Sequence, residues 1–181
     1  MEFIVMIFYD NKKFEKFLSN QEIKKRISDL ALVINQYYKD EEVIILCVLD
    51  GAVPVFSELT RNLNINYSTD YIKLSSYKGT TKSTGKIDID QELDLDIKGK
   101  KVLIVEDIID TGTTIDFLNS KLFSLGAKEI KIFSLLLKRN KYKFKVPIDW
   151  YGFDIEDLFT IGYGMDYDFK FRGLNDIYIL K

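Results

Sequence analysis

The sequence predicts an α/β domain with a mainly parallel central sheet. Segments with the features of strands and of helices alternate from about residue 20 to about residue 148, which is typical of a parallel sheet with helical crossovers. Two strand segments, "VIILCVL" and "VLIV", are unbroken apolar runs, as expected for strands covered on both faces. The chain has 181 residues, 46% of them hydrophobic, which is enough for one sizeable domain and too few for two ordinary ones.

The first half of the chain supplies three strands and two helices. The N-terminal "EFIVMIFYD" is predicted to be a short strand, and "EEVIILCVLDG" and "DYIKLSSY" are predicted to be two more. A helix is predicted from Gln21 to Tyr38, with Ser19 or Asn20 as its N-cap. Its apolar residues recur at the spacing of one helical face, at Ile23, Ile27, Leu30, Ala31 and Ile34. Pro54 suits the first turn of the helix that follows the second strand.

The next elements complete the predicted core. Residues 78–86 are Gly, Thr, Ser and Lys with nothing to bury, which predicts an exposed, mobile loop. Val102 to Val105 is predicted to be a buried strand, and Thr114 to Leu125 a helix ended by Gly126. The segment "KEIKIFSLLLKRN" gives another strand.

The last part of the chain, from Asp149 onward, is aromatic and punctuated by glycines. Short strands are predicted around Phe159 to Ile161 and Ile177 to Leu180. We expect residues 149–181 and the N-terminal strand to form a small hood over one end of a core made by residues 20–148. The whole of residues 1–181 is then a single domain with two parts.

Composition excludes several classes of function. The 26 basic and 28 acidic residues leave a net charge of −2, which gives no indication of nucleic acid as a partner. Cys47 is the only cysteine, so no intrachain disulfide forms and a reducing cytoplasm is predicted. Neither a signal peptide nor the ~20-residue apolar run of a membrane helix is recognised. Histidine is absent, which excludes imidazole-based triads and proton shuttles.

The segment "VLIVEDIIDTGTT" carries the strongest functional signal. Glu106 and Asp107 follow a buried strand, and ligands of open parallel sheets bind beyond the carboxyl ends of strands. A helix beginning near Thr113 presents unpaired N–H groups and the positive end of its dipole. Together with residues 111–114, which are Thr, Gly, Thr and Thr, this helix end predicts a phosphate cradle.

Carboxylates beside a phosphate site need a separate function. They accept hydrogen bonds from sugar hydroxyls or hold Mg²⁺, and Asp110, slightly further on, is a candidate proton acceptor. Taken alone, Glu106-Asp107 is also compatible with a solvated strand end, and "DTGTT" with a simple turn. The combination of strand, acidic pair, Asp110, Thr-Gly-Thr-Thr and helix favours a site for a phosphorylated, magnesium-bound sugar.

At these residues the chain resembles a known family. "VEDIIDTG" is similar to the phosphoribosyl diphosphate (PRPP) binding motif of the type I phosphoribosyltransferases, in the form found in hypoxanthine-guanine phosphoribosyltransferases. The resemblance extends from about Lys13 to Leu180, through "SSY" with "STG", "LLLKRN" and "DWYGFDIEDLFTIGYGMDYDFKFRGL". It implies the type I phosphoribosyltransferase fold and Mg²⁺-dependent transfer of a phosphoribosyl group from PRPP to N9 of hypoxanthine or guanine. It also implies a cytoplasmic homodimer or homotetramer.

The resemblance implies a role for each matching residue. Glu106 and Asp107 would bind the ribose hydroxyls and Mg²⁺, Asp157 would help to hold a second Mg²⁺, and Asp110 would be the catalytic base facing N7. The residues implied to bind PRPP are Gly51, Ser76, Tyr77, Glu106, Asp107, Asp110, Thr111, Gly112, Thr113, Thr114 and Arg172. The residues implied to bind the purine are Lys138, Trp150, Tyr151 and Asp157. Lys138 would donate to the C6 oxygen, and Trp150 would stack on the base. Tyr151 would contact the ring edge through backbone groups.

One turn departs from the family. In "CVLDGAVPVF", Asp50 stands where the family usually has a basic residue before the glycine, so pyrophosphate recognition would shift to Mg²⁺ and Arg172. The family often holds this peptide bond in the cis form, which implies a cis bond between Leu49 and Asp50.

The sequence leaves two alternatives open. A xanthine-preferring enzyme would keep the site, because the C2 oxygen of xanthine would meet only backbone groups. A non-catalytic, PRPP-sensing regulatory protein is the second alternative, although an intact Asp110 and base-binding segment favour an enzyme.

Overall fold

The computed structural model describes residues 6–76 and 87–181, which form ten strands and three helices. The strands are β1 (Met6–Tyr9), β2 (Lys12–Leu18), β3 (Glu42–Leu49), β4 (Asn66–Ser76), β5 (Ile87–Gln91), β6 (Lys101–Ile109), β7 (Glu129–Leu137), β8 (Trp150–Asp154), β9 (Thr160–Ile161) and β10 (Ile177–Leu180). The helices are α1 (Asn20–Tyr38), α2 (Val53–Asn62) and α3 (Thr113–Ser124). The predicted loop at residues 78–86 lies outside the described residues.

The central sheet has six strands in the order β5-β4-β3-β6-β7-β8. Every neighbouring pair is parallel except β4 with β5, which confirms the predicted mainly parallel sheet. Helices cover both faces, since Leu103 and Val105 of β6 belong to the same core cluster as residues of α1 and α2, whereas Val102 and Ile104 pack with residues of α3. Burial on both faces explains why the strand sequence is an unbroken apolar run.

The hood is a second, antiparallel sheet of four strands in the order β1-β2-β10-β9. Its own small core contains Phe14, Ile161 and Tyr178. The predicted N-terminal strand is present as β1, and it forms a hairpin with β2, which was not predicted. The hairpin turns at Asp10 and Asn11, whose φ angles are 51° and 56°. Asp and Asn tolerate this left-handed conformation better than other side chains, which suits a tight hairpin turn.

The predicted boundary between core and hood is wrong by one strand. β8 pairs with β7 in the central sheet, with Phe133 opposite Trp150 and Leu137 opposite Asp154. The hood therefore begins after β8, near β9, and not at residue 149. The glycine-rich and aromatic composition of the C-terminal segment does not separate these two parts because β8 shares it.

Residues near the start of α1 and α2 account for where these helices begin. Ser19, one of the two predicted N-caps, caps α1 through a full capping box with Glu22. Pro54 stands in the first turn of α2, as predicted. None of the helices among the described residues is long and apolar enough to cross a bilayer.

Strand β6 is longer than predicted. Its pairing with β7 continues past Val105 to Ile109, so Glu106 and Asp107 lie within the strand and not after it. The backbone of these acidic residues therefore stays in the sheet, while their side chains reach the carboxyl edge.

Candidate active site

A cavity of about 340 Å³ opens at the carboxyl edge of the central sheet, where β3, β6 and β7 end, and the segment around β9 closes one side of it. It is lined by Val48, Leu49, Gly51, Glu106, Asp107, Ile108, Asp110, Lys138, Leu158, Phe159, Thr160, Met165, Asp166 and Arg172. The structure thus brings together six of the residues predicted from the sequence: Gly51, Glu106, Asp107, Asp110, Lys138 and Arg172.

Glu106 and Asp107 place two poorly compensated carboxyl groups in this cavity. Glu106 is 9% exposed, and its Oε2 atom has no hydrogen-bond partner among the described residues. Burial, and then the charge of Asp107, raises the pKa of Glu106 well above its ordinary value. Burial also raises the pKa of Asp107 to about 6, although the Ile108 N–H, 2.7 Å from Asp107 Oδ1, partly opposes that shift. The positive charges and donors around these two groups therefore do not offset the cost of burying them.

These two carboxyl groups fit Mg²⁺. The ion prefers carboxylate oxygens and keeps several ligands from water or substrate phosphates, so two protein carboxylates suffice. Within residues 6–76 and 87–181, no three acidic, Cys or His residues form a ready-made metal cage. The arrangement is consistent with an ion that binds together with a phosphorylated substrate.

Asp110 lies just beyond β6 and contacts two lysines. Lys138 Nζ donates to Asp110 Oδ2 at 3.0 Å, and Lys141 Nζ is 2.9 Å from Oδ1. Burial alone would raise the pKa of Asp110, but Lys141 and Lys138 outweigh it and lower the pKa below the ordinary value. Asp110 is therefore a carboxylate at neutral pH, able to accept a proton or a hydrogen bond.

Asp157 lies outside the cavity lining, contrary to its predicted role at a second Mg²⁺. Its Oδ1 atom is 3.0 Å from both Lys138 Nζ and Lys141 Nζ, and these lysines lower its pKa. The acidic residue that does line the cavity on the hood side is Asp166, which pairs with Arg172 at 2.7 Å. The placement of Asp157 beside two ammonium groups does not support a metal ligand there.

Trp150 and Tyr151 also lie outside the cavity, and this placement corrects the prediction that they contact a base. Trp150 begins β8, at the end of the strand remote from the carboxyl edge, and its ring lies 5.4 Å from Tyr37 and 6.2 Å from Tyr38. The backbone carbonyl of Tyr151 accepts a hydrogen bond from Arg26 at 3.1 Å, on the side of α1 and not at the cavity.

Phe159 is the aromatic residue that does line the cavity, together with its neighbours Leu158 and Thr160. Sequence reasoning missed Phe159 and Asp166, although both lie in the segment quoted for base binding. The position of Phe159 beyond the end of β8 separates it from Trp150 at the start of that strand, because ligands bind at the carboxyl edge of a parallel sheet.

The predicted phosphate cradle lies beside the cavity. Gly112 has a left-handed φ of 88° and precedes α3, which has no side-chain hydrogen bond capping its first turn. The hydroxyl oxygens of Thr111 and Thr113 are 3.0 Å apart. The first-turn amides, with Thr114 among them, are therefore available to an anion next to Asp110.

The end of β3 and the turn after it place Leu49 and Gly51 in the cavity lining. The peptide bond between Leu49 and Asp50 is cis, as the resemblance implies. A Cβ atom on Gly51 would overlap the Asp107 carboxylate, so a larger residue there would displace that side chain from its position in the cavity. The Asp50 side chain points to β4 instead, where Lys73 Nζ donates to its two oxygens at 3.0 and 3.1 Å. Lys73 therefore neutralises the acidic residue that departs from the family pattern.

The loop implied to close over the site is described only at its start. Ser76 is the last residue of β4, and Tyr77 lies outside the described residues, so the roles implied for both remain predictions.

Comparisons with known proteins agree with this architecture. The family model of the phosphoribosyl transferase domain matches residues 14–168. The chain is 43% identical to a hypoxanthine-guanine-xanthine phosphoribosyltransferase of Tritrichomonas foetus, over 92% of each chain. It is 35% identical to a hypoxanthine-guanine phosphoribosyltransferase of Bacillus subtilis, over 91% of each chain.

Solved structures show the same fold. A hypoxanthine phosphoribosyltransferase from Staphylococcus aureus superposes with a TM-score of 0.87 at 33% identity, covering 92% of this chain and 91% of that one. A mutant of the Trypanosoma cruzi hypoxanthine phosphoribosyltransferase, in a ternary complex with substrates, gives a TM-score of 0.86 at 30% identity and covers 96% and 97%. With the family model matched over most of its length, this chain belongs to the phosphoribosyl transferase domain family.

Proposed function

We propose that this chain is a purine salvage enzyme that transfers the 5-phosphoribosyl group of PRPP to N9 of hypoxanthine or guanine, giving IMP or GMP and pyrophosphate. The observation that carries the proposal is the pairing of groups in one cavity: a buried donor, Lys138, and the carboxylate Asp110 on one side, and Glu106 with Asp107 on the other. The named activities of the relatives support the same reaction.

Lys138 accounts for the choice of base. Its ammonium group is a donor only, so it matches the carbonyl oxygen at C6 of hypoxanthine or guanine. The amino group of adenine would leave Lys138 without an acceptor, and a mismatch of this kind typically costs about 1–3 kcal/mol. Phe159 supplies an apolar aromatic face on which a purine ring can stack.

Glu106 and Asp107 account for the sugar. They would accept hydrogen bonds from the ribose hydroxyls and, directly or through water, hold Mg²⁺. The bound ion would neutralise charge on the diphosphate oxygens. The amides and hydroxyls of residues 111–114 would hold the 5′-phosphate, and Arg172 with the Gly51 amide would hold the pyrophosphate group. Asp110 would accept the proton at N7 as the new bond forms.

Cellular context and assembly belong to the same proposal. The chain has no excess of basic residues to favour a nucleic acid partner, and its single cysteine is free and buried. We infer a cytoplasmic enzyme of small-molecule substrates that works as a homodimer or homotetramer.

The test is turnover of PRPP with Mg²⁺ against hypoxanthine, guanine, xanthine, adenine and uracil in parallel, following nucleotide and pyrophosphate. We expect IMP and GMP. PRPP binding without turnover of any base would contradict the proposal and favour the regulatory alternative. The variant Asp110→Asn is expected to lose most turnover while PRPP binding stays intact.

Xanthine is a candidate third substrate. The observation that favours it is the 43% identity to a relative named for hypoxanthine, guanine and xanthine. Formation of XMP in the same assay would extend the base range, and its absence would restrict this chain to the first two bases.

A further inference from the structure

At one side of the cavity, four charged side chains form a cluster, called here the four-charge cluster: Lys138, Lys141, Asp110 and Asp157. Each lysine contacts both acids. Lys138 Nζ lies 3.0 Å from Asp110 and 3.0 Å from Asp157, and Lys141 Nζ lies 2.9 Å and 3.0 Å from the same two residues. The two positive and two negative charges balance.

Only half of this cluster lines the cavity. Lys138 and Asp110 do so, whereas Lys141 and Asp157 are absent from the lining. Lys141 reaches the acids from the turn after β7, where its backbone N–H donates to the Lys138 carbonyl at 2.9 Å. The two lysines therefore sit on one turn; they contact different oxygens of Asp110 and the same oxygen, Oδ1, of Asp157.

The cluster poses a problem for base recognition by Lys138. Two of its three N–H donors are engaged by carboxylates, and the ammonium is almost fully buried between them. A neutral carbonyl oxygen is a weaker acceptor than a carboxylate. A shift of Lys138 toward a base would lengthen its ion pairs, and removing one partner from a desolvated charge is costly.

We propose that Lys141 is a positioning residue for base recognition: it holds Asp110 and Asp157 when the Lys138 ammonium turns from these carboxylates to the carbonyl oxygen of the base. The inference rests on the proposed function, which assigns Lys138 to that oxygen. Lys141 contacts Asp110 at Oδ1 and leaves Oδ2 to Lys138, so each acid retains a cation whichever way Lys138 points.

The arrangement also keeps Asp110 in place for the proton it is proposed to accept. With Lys141 on Oδ1, the carboxylate stays oriented after Oδ2 is released by Lys138, and that released oxygen is the one free to meet the base. Lys141 touches neither the base nor PRPP in this scheme and acts only through the two acids.

The test is the substitution Lys141→Met, which keeps the apolar stem and removes the charge. Lys138 becomes the only cation for both acids and is held more firmly, so we expect KM for hypoxanthine to rise about tenfold. KM for PRPP should stay within twofold. Lys141→Arg, which restores the charge, should recover most of the affinity for the base.

Lys145→Met is the matched control, because Lys145 is an exposed lysine in the same segment. It is expected to leave both KM values unchanged. Thermal unfolding of each variant checks that it is folded, and Lys141→Gln replaces Lys141→Met if that variant is not.

The outcomes separate this inference from the proposed function. A wild-type chain that turns over no 6-oxopurine overturns both. An active wild type whose Lys141→Met variant keeps the KM for hypoxanthine, or raises both KM values equally, overturns the role of Lys141 alone. A selective rise in the KM for the base, rescued by arginine, supports it.

Discussion

Phe159 lines the cavity, and 45% of its surface is exposed. Its aromatic face is therefore accessible for stacking with a planar base. Stacking of a base on an aromatic side chain typically contributes about 1–3 kcal/mol. We therefore predict that Phe159→Ala raises KM for hypoxanthine roughly tenfold or more, measured by steady-state kinetics. Trp150→Phe should leave that KM unchanged because the ring of Trp150 packs on Tyr37 and Tyr38. The opposite ranking of the two variants would return the stacking role to Trp150.

Asp107 makes the stability of the metal-free protein depend on pH. The pKa of Asp107 is about 6 in the folded state, above the ordinary 3.8. Its contribution to the free energy of unfolding is therefore most favourable below pH 4 and is lost as the pH rises through 6. The difference corresponds to about 3 kcal/mol, and the raised pKa of Glu106 acts in the same direction.

We predict that Asp107→Asn gains stability relative to the wild type as the pH rises from 4.5 to 7.5. Urea unfolding without Mg²⁺ at both pH values measures the difference in the free energy of unfolding. Parallel pH dependence of the two proteins would show that Asp107 is not destabilised by burial.

Among single residues, the sequence best predicts which ones meet in the cavity where neighbours along the chain carry the charged groups. Glu106, Asp107 and Asp110 share one strand end, and the cavity contains all three. The motif misplaces Trp150 because it gives only the residue types in a segment, whereas the pairing of β8 with β7 puts Trp150 at the start of that strand, remote from the carboxyl edge. Asp157 lies beyond the end of β8, but it contacts Lys138 and Lys141 and does not line the cavity. The link between Lys141 and Asp110 joins positions that are distant in the sequence, and no local pattern indicates it.

Among the elements, α1 is fixed at its start by reciprocal capping. The Ser19 backbone N–H donates to Glu22 Oε2 at 2.9 Å, and the Glu22 N–H donates to the Ser19 hydroxyl at 3.3 Å. Loss of an N-cap of this kind typically costs about 1 kcal/mol. We predict that Ser19→Ala lowers the free energy of unfolding by that amount in urea denaturation.

Glu22→Gln is the control for this cap, because glutamine also accepts a hydrogen bond in a capping box. It should cost clearly less than Ser19→Ala. Equal losses for the two variants would indicate that the charge of Glu22, and not the cap, stabilises the start of α1.

The elements themselves were largely predictable. Periodicity located α1, and the apolar runs located β3 and the start of β6, because burial dictates both patterns. The end of β6 was misplaced because acidic residues are usually expected outside a strand. Here the backbone of Glu106 pairs with β7 while its side chain faces a cavity, and hydropathy alone cannot separate these two roles.

For the molecule as a whole, the hood meets the core at a contact between two glycines. Gly164 has a φ of 101°, and a Cβ atom there would overlap the carbonyl oxygen of Gly51, in the turn that lines the cavity. Backbone strain at such a position typically costs about 1–3 kcal/mol, and the overlap adds to it.

We predict that Gly164→Ala lowers the free energy of unfolding by a few kcal/mol and raises KM for PRPP, because the Gly51 turn must shift to admit the methyl group. Gly173→Ala is the control in the same part of the hood, since nothing lies within 4 Å of a Cβ atom there. It should change stability by less than about 0.5 kcal/mol. Similar behaviour of both variants in denaturation and kinetics would argue against a close joint between hood and core.

The division into core and hood was predicted from composition, but the membership of β8 was not. The parallel pairing of β8 with β7 joins segments that are distant in the sequence. The short strands β9 and β10 become recognisable as part of a separate sheet only because β10 pairs with both β2 and β9. The fold class thus follows from local patterns, whereas the line between the two parts depends on contacts distant in sequence.

The position of Trp150 also determines which changes in this protein its intrinsic fluorescence can detect. Trp150 is the only tryptophan of the chain, and its side chain packs from β8 onto Tyr37 and Tyr38 of α1, away from the cavity. These two tyrosines can pass excitation energy to Trp150. Its fluorescence should therefore follow the loosening of α1 from the sheet during unfolding and respond little to a bound base. The chain carries a built-in optical probe of its folding, and optical detection of substrate would need a tryptophan introduced at the cavity.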